Sequence, residues 1–203
     1  MANLKSALPD IAVSQGSKTL SDKIANGDFL NFASVCECIV KILEALKPIH
    51  EKGFLHLGIS PDTVRFSDAG VAQLTGFTEA FRMGDDFQNW APAFQAGYSA
   101  RELIRHPLTK PLSINCAADL YSVTAIFFRL LVGRAPKDDD WSDRGKWRLD
   151  NSKKGYLKGA SGDLVEETND FLRKGLSLTA ARRFSDIGEM RKGLEKLIRQ
   201  GQK

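Results

Sequence analysis

The sequence predicts a mainly α domain, a helical bundle carrying one small β-hairpin, on three observations. Apolar residues recur every three to four positions at Phe32, Val35, Ile39, Ile42, Leu46 and Ile49, the spacing that lays one stripe along a helix. Between Phe54 and Leu74 the pattern changes to short alternating runs, Thr63-Val64-Arg65-Phe66 and Val71-Ala72-Gln73-Leu74, joined by a turn at Asp68-Ala69-Gly70; these read as paired strands. Cys116 to Val132 is apolar nearly all round, as a helix at the centre of a large core is.

Taken in order, Ile11-Ala12-Val13 reads as a strand or hinge, and the stretch from Gln15 to Leu20 leads into a first helix. The striped helix ends near Gly53. Pro48 inside it removes a donor and crowds the Glu44 carbonyl, so its last turn should be kinked or loosened. Residues 79–98 hold Phe81, Phe87, Trp90, Phe94 and Tyr98, too many aromatics for a freely solvated loop; they either pack on the domain or form a partner-binding surface. The apolar stretch from Cys116 contains Asp119 and Arg129 and is shorter than the ~20 apolar residues a bilayer span requires. Leu164, Val165, Thr168, Phe171 and Leu172 mark a helix that Ser161 or Asp163 could cap and Gly175 could stop. Ile187, Met190, Leu194 and Leu197 mark the last helix, with Ser185 as cap. The stretch from Ser152 to Gly162 is the expected flexible loop.

A length of 203 residues suits one core and one domain, and 42% hydrophobic with 27% charged residues is ordinary globular composition. The net charge of +4 is mild. No dense basic stripe with exposed aromatics and no nucleic-acid-binding module is present, so a nucleic-acid partner is not expected. Basic residues from Arg144 to Lys158 follow the acidic Asp138-Asp139-Asp140, and the tail from Arg191 reads as the solvated face of an amphipathic helix, compatible with a weak contact to an anionic membrane. Cys36 and Cys38 diverge on one helix, and the cysteines read as free thiols in a reducing cytoplasm. The three cysteines and three histidines lack zinc-like spacing, so no metal is expected. Met1 to Lys5 is followed by no apolar run of secretory length, which again favours a cytoplasmic location.

The chemistry-bearing stretch is His56-Leu57-Gly58-Ile59-Ser60-Pro61-Asp62-Thr63 followed by Leu74-Thr75-Gly76-Phe77-Thr78. By spacing it resembles the run from the His-Arg-Asp catalytic loop to the Asp-Phe-Gly motif of protein kinases. The resemblance places Leu57 at the loop arginine, Gly58 at the catalytic aspartate, Ser60 at the loop lysine, Thr63 at the metal-binding asparagine and Gly76 at the second metal-binding aspartate. His56, Pro61 and Phe77 match family residues that serve packing. Further on, Ser99-Ala100-Arg101-Glu102 is similar to the Ala-Pro-Glu segment. Asp119-Leu120-Tyr121-Ser122-Val123-Thr124 is similar to Asp-x-Trp-Ser-x-Gly, and Ala181-Arg182-Arg183-Phe184-Ser185 to the segment before the last kinase helix. Gly133-Arg134-Ala135-Pro136 fits the turn between them. The resemblance implies that Glu102 pairs with Arg183 and that Asp119 holds the amides around His56 and Leu57. It also implies a kinase-like large (C-terminal) lobe over 21–200, with 1–20 a vestigial last strand or hinge and the small amino-terminal lobe absent or vestigial.

Phosphoryl transfer needs an aspartate to orient the substrate hydroxyl and an asparagine and an aspartate to hold metal ions. Glycine offers no oxygen at 58 or 76, and Thr63 offers one neutral hydroxyl where a hard cation takes carboxylate or amide oxygens. The resemblance therefore implies an inactive pseudokinase domain with no catalytic residue and no cofactor. It would act on a protein partner or on another domain of a longer chain, with Phe87, Trp90, Phe94 and Tyr98 as the candidate contact residues. The alternative is a divergent Ser/Thr protein kinase or ATP-binding domain whose small lobe lies outside this chain, with Asp62 and Asp68 the nearby carboxylates. Exposed apolar area expected around Leu55, Leu74 and Phe77 would favour a homodimer or capture of a partner.

Overall fold

The computed structural model describes residues 17–85, 93–104, 114–137, 140, 148–150 and 155–202. The strand or hinge expected at Ile11-Ala12-Val13, most of the basic run after Arg144, and Phe87 and Trp90 lie outside the described residues. The described chain opens with β1 (Lys18–Thr19), α1 (Leu20–Ala25) and α2 (Phe32–Glu51). Thr19 and Asn31 each cap the helix that follows, and in both the residue three positions on returns a side-chain bond to the cap amide, so two otherwise orphaned donors are satisfied. α2 continues through Pro48 to Glu51 instead of loosening there. Pro48 and Glu44 both lie on its exposed face, where a carbonyl that proline leaves unbonded is not cut off from solvent.

The hairpin pairs β3 (Val64–Phe66) with β4 (Ala72–Leu74), Val64 opposite Leu74 and Phe66 opposite Ala72. β1 adds to the other edge of β3, with Lys18 opposite Phe66. A second two-stranded sheet joins β2 (Phe54–Leu55) to β5 (Phe81–Arg82). The remaining elements are α3 (Arg101–Ile104), α4 (Ala117–Val132), α5 (Gly162–Gly175) and α6 (Ile187–Gly201).

α4 is the central post: it is buried continuously from Ala117 through Phe128, packs against α2 and α5, and ends at Gly133, which takes φ 85°. An aromatic chain crosses the core from α2 to the segment before α6. Phe32 lies 6.4 Å from Phe127, Phe127 meets Phe171 edge-on at 5.4 Å, and Phe171 lies 4.7 Å from Phe184. α6 closes the bundle on α2 and α5.

Four expectations change on folding. Leu55 and Leu74 are fully buried and Phe77 is half-buried, so the apolar area expected there is consumed by the core. The last helix is capped by Asp186, whose carboxylate accepts from the Glu189 amide, while the Ser185 amide donates back to Glu189. Ser161 caps α5, but Gly175 is its last helical residue and not a left-handed stop. It is a close-approach glycine: a Cβ there would lie 2.2 Å from Thr124 Oγ1. The described part of the expected loop is anchored, with Leu157 buried and the Tyr156 hydroxyl donating to the Phe29 carbonyl at 3.1 Å. Among the described residues no helix is long and apolar enough to cross a membrane.

Candidate functional site

The loop between β2 and β3 is suspended from Asp119, a fully buried carboxylate in the first turn of α4. Its Oδ2 accepts from the His56 amide at 2.8 Å and its Oδ1 from the Leu57 amide at 2.7 Å. His50, near the end of α2, places Nε2 2.8 Å from the same Oδ2. Burial alone would push the Asp119 carboxyl up; the His50 hydrogen bond and the charges around it hold it below the usual carboxylate range. Burial likewise pulls His50 down, but the bonds to Asp119 and Cys116 and the Asp119 charge prevail and raise it to about 9. The result is a buried imidazolium–carboxylate pair with its oxygens occupied, the condition under which such a charge is tolerated inside a core.

These bonds hold an unusual backbone. Leu57 takes φ 57°, the only left-handed non-glycine among the described residues, a conformation that costs a side-chain-bearing residue about 1–2 kcal/mol. The Asp119 contact to its amide keeps it there. His56 beside it is completely buried, with its ring 4.7 Å from that of Phe77. The Gly58 amide donates to His56 Nδ1 at 3.2 Å, so the other nitrogen carries the proton and donates to the Thr75 carbonyl at 3.1 Å. Burial lowers this histidine below its ordinary 6.5, consistent with a neutral ring.

Thr63 and Gly76 meet on the other side of the loop. Thr63 Oγ1 accepts from the Ser60 amide at 2.9 Å and donates to the Gly58 carbonyl at 2.8 Å, so its rotamer is fixed. Its methyl then points at Gly76, where a Cβ would lie 2.9 Å from Thr63 Cγ2. Gly76 itself is left-handed, φ 77° and ψ 44°. A carboxylate at 76 would therefore meet both an occupied volume and an unfavourable backbone. Ser60 is buried with no partner for its hydroxyl among the described residues, and Pro61 is buried with its carbonyl accepting from the Ser21 amide at 3.1 Å. Asp62 accepts from the Ser21 hydroxyl at 2.6 Å, which ties α1 to the loop, and Asp68 is exposed in the hairpin turn.

One acidic side chain beside Gly58 is not among the residues the sequence singled out. Glu79, in the turn after Phe77, places Cγ 3.7 Å from the point where a Gly58 Cβ would stand. Its Oε2 accepts from the Ala93 amide at 2.7 Å. The signal was the Gly76-Phe77-Thr78-Glu79 order, but only the turn of chain after Phe77 directs that side chain back over the loop. Among the described residues no group of three or more His, Cys, Asp or Glu side chains could hold a metal ion. Gly58 and Gly76 offer a magnesium nucleotide no side-chain oxygen, and the one neutral hydroxyl of Thr63 is committed to the loop backbone, so the residues at those positions do not fit that group.

Away from the loop, Arg183 is buried and makes a two-pronged contact to Glu102, 2.7 Å to Oε1 and 2.8 Å to Oε2. Its Nε donates to the Ser177 carbonyl at 2.7 Å and its guanidinium lies 4.9 Å from the Tyr121 ring. This fastens α3 to α4 and to the approach to α6. Of the aromatic candidates, Phe94 is 53% exposed, while Tyr98 is half-buried with its carbonyl accepting from the Ser122 hydroxyl. On α6, Arg191 pairs with Glu44 and Glu195 and Lys196 pairs with Glu167, so part of its basic face is already matched by acids.

No protein-family profile matches the chain. Serine/threonine-protein kinase unc-51 of Caenorhabditis elegans is 27% identical over 123 residues, 58% of this chain and 14% of that protein. The probable kinase PknB of Bifidobacterium longum is 25% identical over 123 residues, 61% of this chain and 18% of its own. A probable serine/threonine-protein kinase of Clostridium perfringens is 22% identical over 182 residues, 89% of this chain and 26% of its own. The chain thus spans about a quarter or less of the length of these relatives.

Proposed function

We propose, from the premise that this chain is related to the Ser/Thr protein kinases of the protein kinase-like superfamily, that it is a catalytically inactive kinase-like large lobe serving as a protein-binding or regulatory module. The observation that carries the reading is the contact of Thr63 with Gly76. The space a second metal-binding carboxylate would need holds a methyl group, and the hydroxyl beside it is committed to the loop backbone. The groups that hold the loop's shape, Asp119, His56 and the Glu102–Arg183 pair, are all engaged. Such a lobe keeps the surface on which kinases dock proteins while the phosphate site closes. Exposed Phe94 is the anchor we assign to a partner protein or to a further domain of a longer chain.

The second reading is a divergent Ser/Thr kinase or ATP-binding domain completed by a small lobe outside this chain. Glu79 beside Gly58 favours it, because a carboxylate there could receive a hydroxyl proton. Calorimetry with magnesium ATP and phosphate transfer to generic protein substrates separate the two. The inactive reading expects no magnesium-dependent binding or turnover; turnover abolished by Glu79→Gln or Asp62→Asn would establish the second and end the first.

A further inference from the structure

Asn26-Gly27 is the one place in the chain where glycine follows asparagine. The pair closes α1 as a Schellman motif: Gly27 is left-handed at φ 70°, its amide donates to the Ile24 carbonyl at 3.2 Å, and the Asp28 amide donates to the Lys23 carbonyl at 3.0 Å. Both residues are exposed, and a Cβ at Gly27 would meet nothing within 4 Å. The other described asparagines are committed. Asn31 Oδ1 accepts from the Ser34 amide and Asn115 Oδ1 from the Ala117 amide, while buried Asn169 bonds the Leu149 backbone through both its oxygen and its nitrogen. Asn26 instead lies at the surface, at the end of a helix of 6 residues that is held at its other end by the Thr19 capping box.

We propose that Asn26 is a site of spontaneous covalent modification, deamidation through a cyclic imide, at a rate set by the fraying of α1. The Gly27 nitrogen gives its proton to hydroxide and attacks the side-chain carbonyl carbon of Asn26. A C–N bond forms, and ammonia leaves with a proton from water, which returns the hydroxide. Water then opens the imide: breaking the new C–N bond gives aspartate, and breaking the original peptide bond gives isoaspartate. Glycine permits the step because no Cβ crowds the attacking nitrogen. The folded cap opposes it, since the Asn26 ψ of −8° must turn and the Gly27 bond to Ile24 must open before nitrogen and side chain can meet. A helix this short opens readily at its end. Isoaspartate adds a methylene to the main chain of the cap and a carboxylate two residues from Asp28, the partner of Lys23 at 2.8 Å. α1 also carries Ser21, whose hydroxyl and amide hold Asp62 and Pro61, so the change reaches the site loop through that helix.

The test incubates the folded full chain in mildly alkaline buffer and follows each asparagine by peptide mapping and mass spectrometry, with isoaspartate separated from aspartate by retention. We expect Asn26 to convert at least about ten-fold faster than Asn31, Asn115 or Asn169, with isoaspartate among the products. The guanidinium-unfolded chain should convert Asn26 at least about three-fold faster than the folded one, because the cap no longer holds the nitrogen. Thr19→Ala, checked for folding by circular dichroism, loses the capping box and should raise the folded rate about three- to ten-fold. Conversion at Asn26 no faster than at the other asparagines, or aspartate without isoaspartate, would overturn the site. Folded and unfolded rates that agree, or a folded Thr19→Ala that leaves the rate unchanged, would overturn its control by α1. Should Thr19→Ala not fold, the folded-to-unfolded comparison decides alone.

Discussion

Replacing Gly76 by alanine tests whether the space beside Thr63 is closed by packing. Two costs add. A left-handed φ of 77° costs an alanine about 1–2 kcal/mol. The new Cβ, 2.9 Å from Thr63 Cγ2, forces a shift that in well-packed sites costs about 1–3 kcal/mol. Thr63 cannot rotate away cheaply, since its hydroxyl is held by the Ser60 amide and the Gly58 carbonyl. Gly76→Ala should thus lose about 2–5 kcal/mol, read as a fall in the urea midpoint at constant m. Thr63→Ser removes only the methyl and keeps the hydroxyl, costing on its own about 0.8 kcal/mol. In the double variant the steric part vanishes and the backbone part remains, so the cycle should show a favourable coupling of about 1–3 kcal/mol. Additivity within about 0.5 kcal/mol, or a Gly76→Ala as stable as the parent, would refute the reasoning.

The buried His50–Asp119 pair makes stability depend on pH. Because the folded His50 value of about 9 lies above its ordinary 6.5, its contribution is full below pH 6.5 and disappears as pH rises through 9. At a side-chain exposure of 9% for His50, that limb is worth about 3 kcal/mol; denaturation midpoints between pH 6 and 9 should fall in the parent and flatten in His50→Gln, and a flat parent curve would exclude the pair. Asp119, held below 3.8, acts in the opposite direction, its contribution being present above that pH and lost in acid as pH falls through the folded value. Arg183→Lys keeps the charge but not the two-pronged contact to Glu102 or the Ser177 bond, so equilibrium unfolding should show a loss of about 2–4 kcal/mol, and a neutral result would mean the pair is idle. Gly175→Ala drives a Cβ to 2.2 Å from Thr124 Oγ1 and should cost about 1–3 kcal/mol, part of which Thr124→Gly restores; thermal melts showing no rescue would place the strain elsewhere.

Much of this architecture could be read before folding. The stripe of α2 and the all-round apolar run of α4 were legible because a helix must show its buried face as a repeat in the chain. The β3–β4 hairpin was legible from alternation and its turn. The pairings of β1 and β5 were not, since two residues carry no period. Pro48 misled because its effect depends on which face of α2 it occupies. Ser185 misled because neighbouring Asp186 offers the same capping chemistry one position later. At the site, the lack of carboxylate and amide oxygens at 58, 63 and 76 was visible in the residue types, whereas Glu79 was hidden behind a turn that reverses the chain's direction.

The sequence by itself settled which side chains can hold a proton, a metal or a hydrogen bond at each position, because those capacities belong to the residue and travel with it. Only the tertiary structure decided that Thr63 fills the space beside Gly76, that Thr124 stands against Gly175, and that His50 and the His56 and Leu57 amides converge on Asp119. A chain pattern reports which face of an element is buried. What that face meets is fixed by how separate helices and loops cross, and that is set by the packing of the whole core.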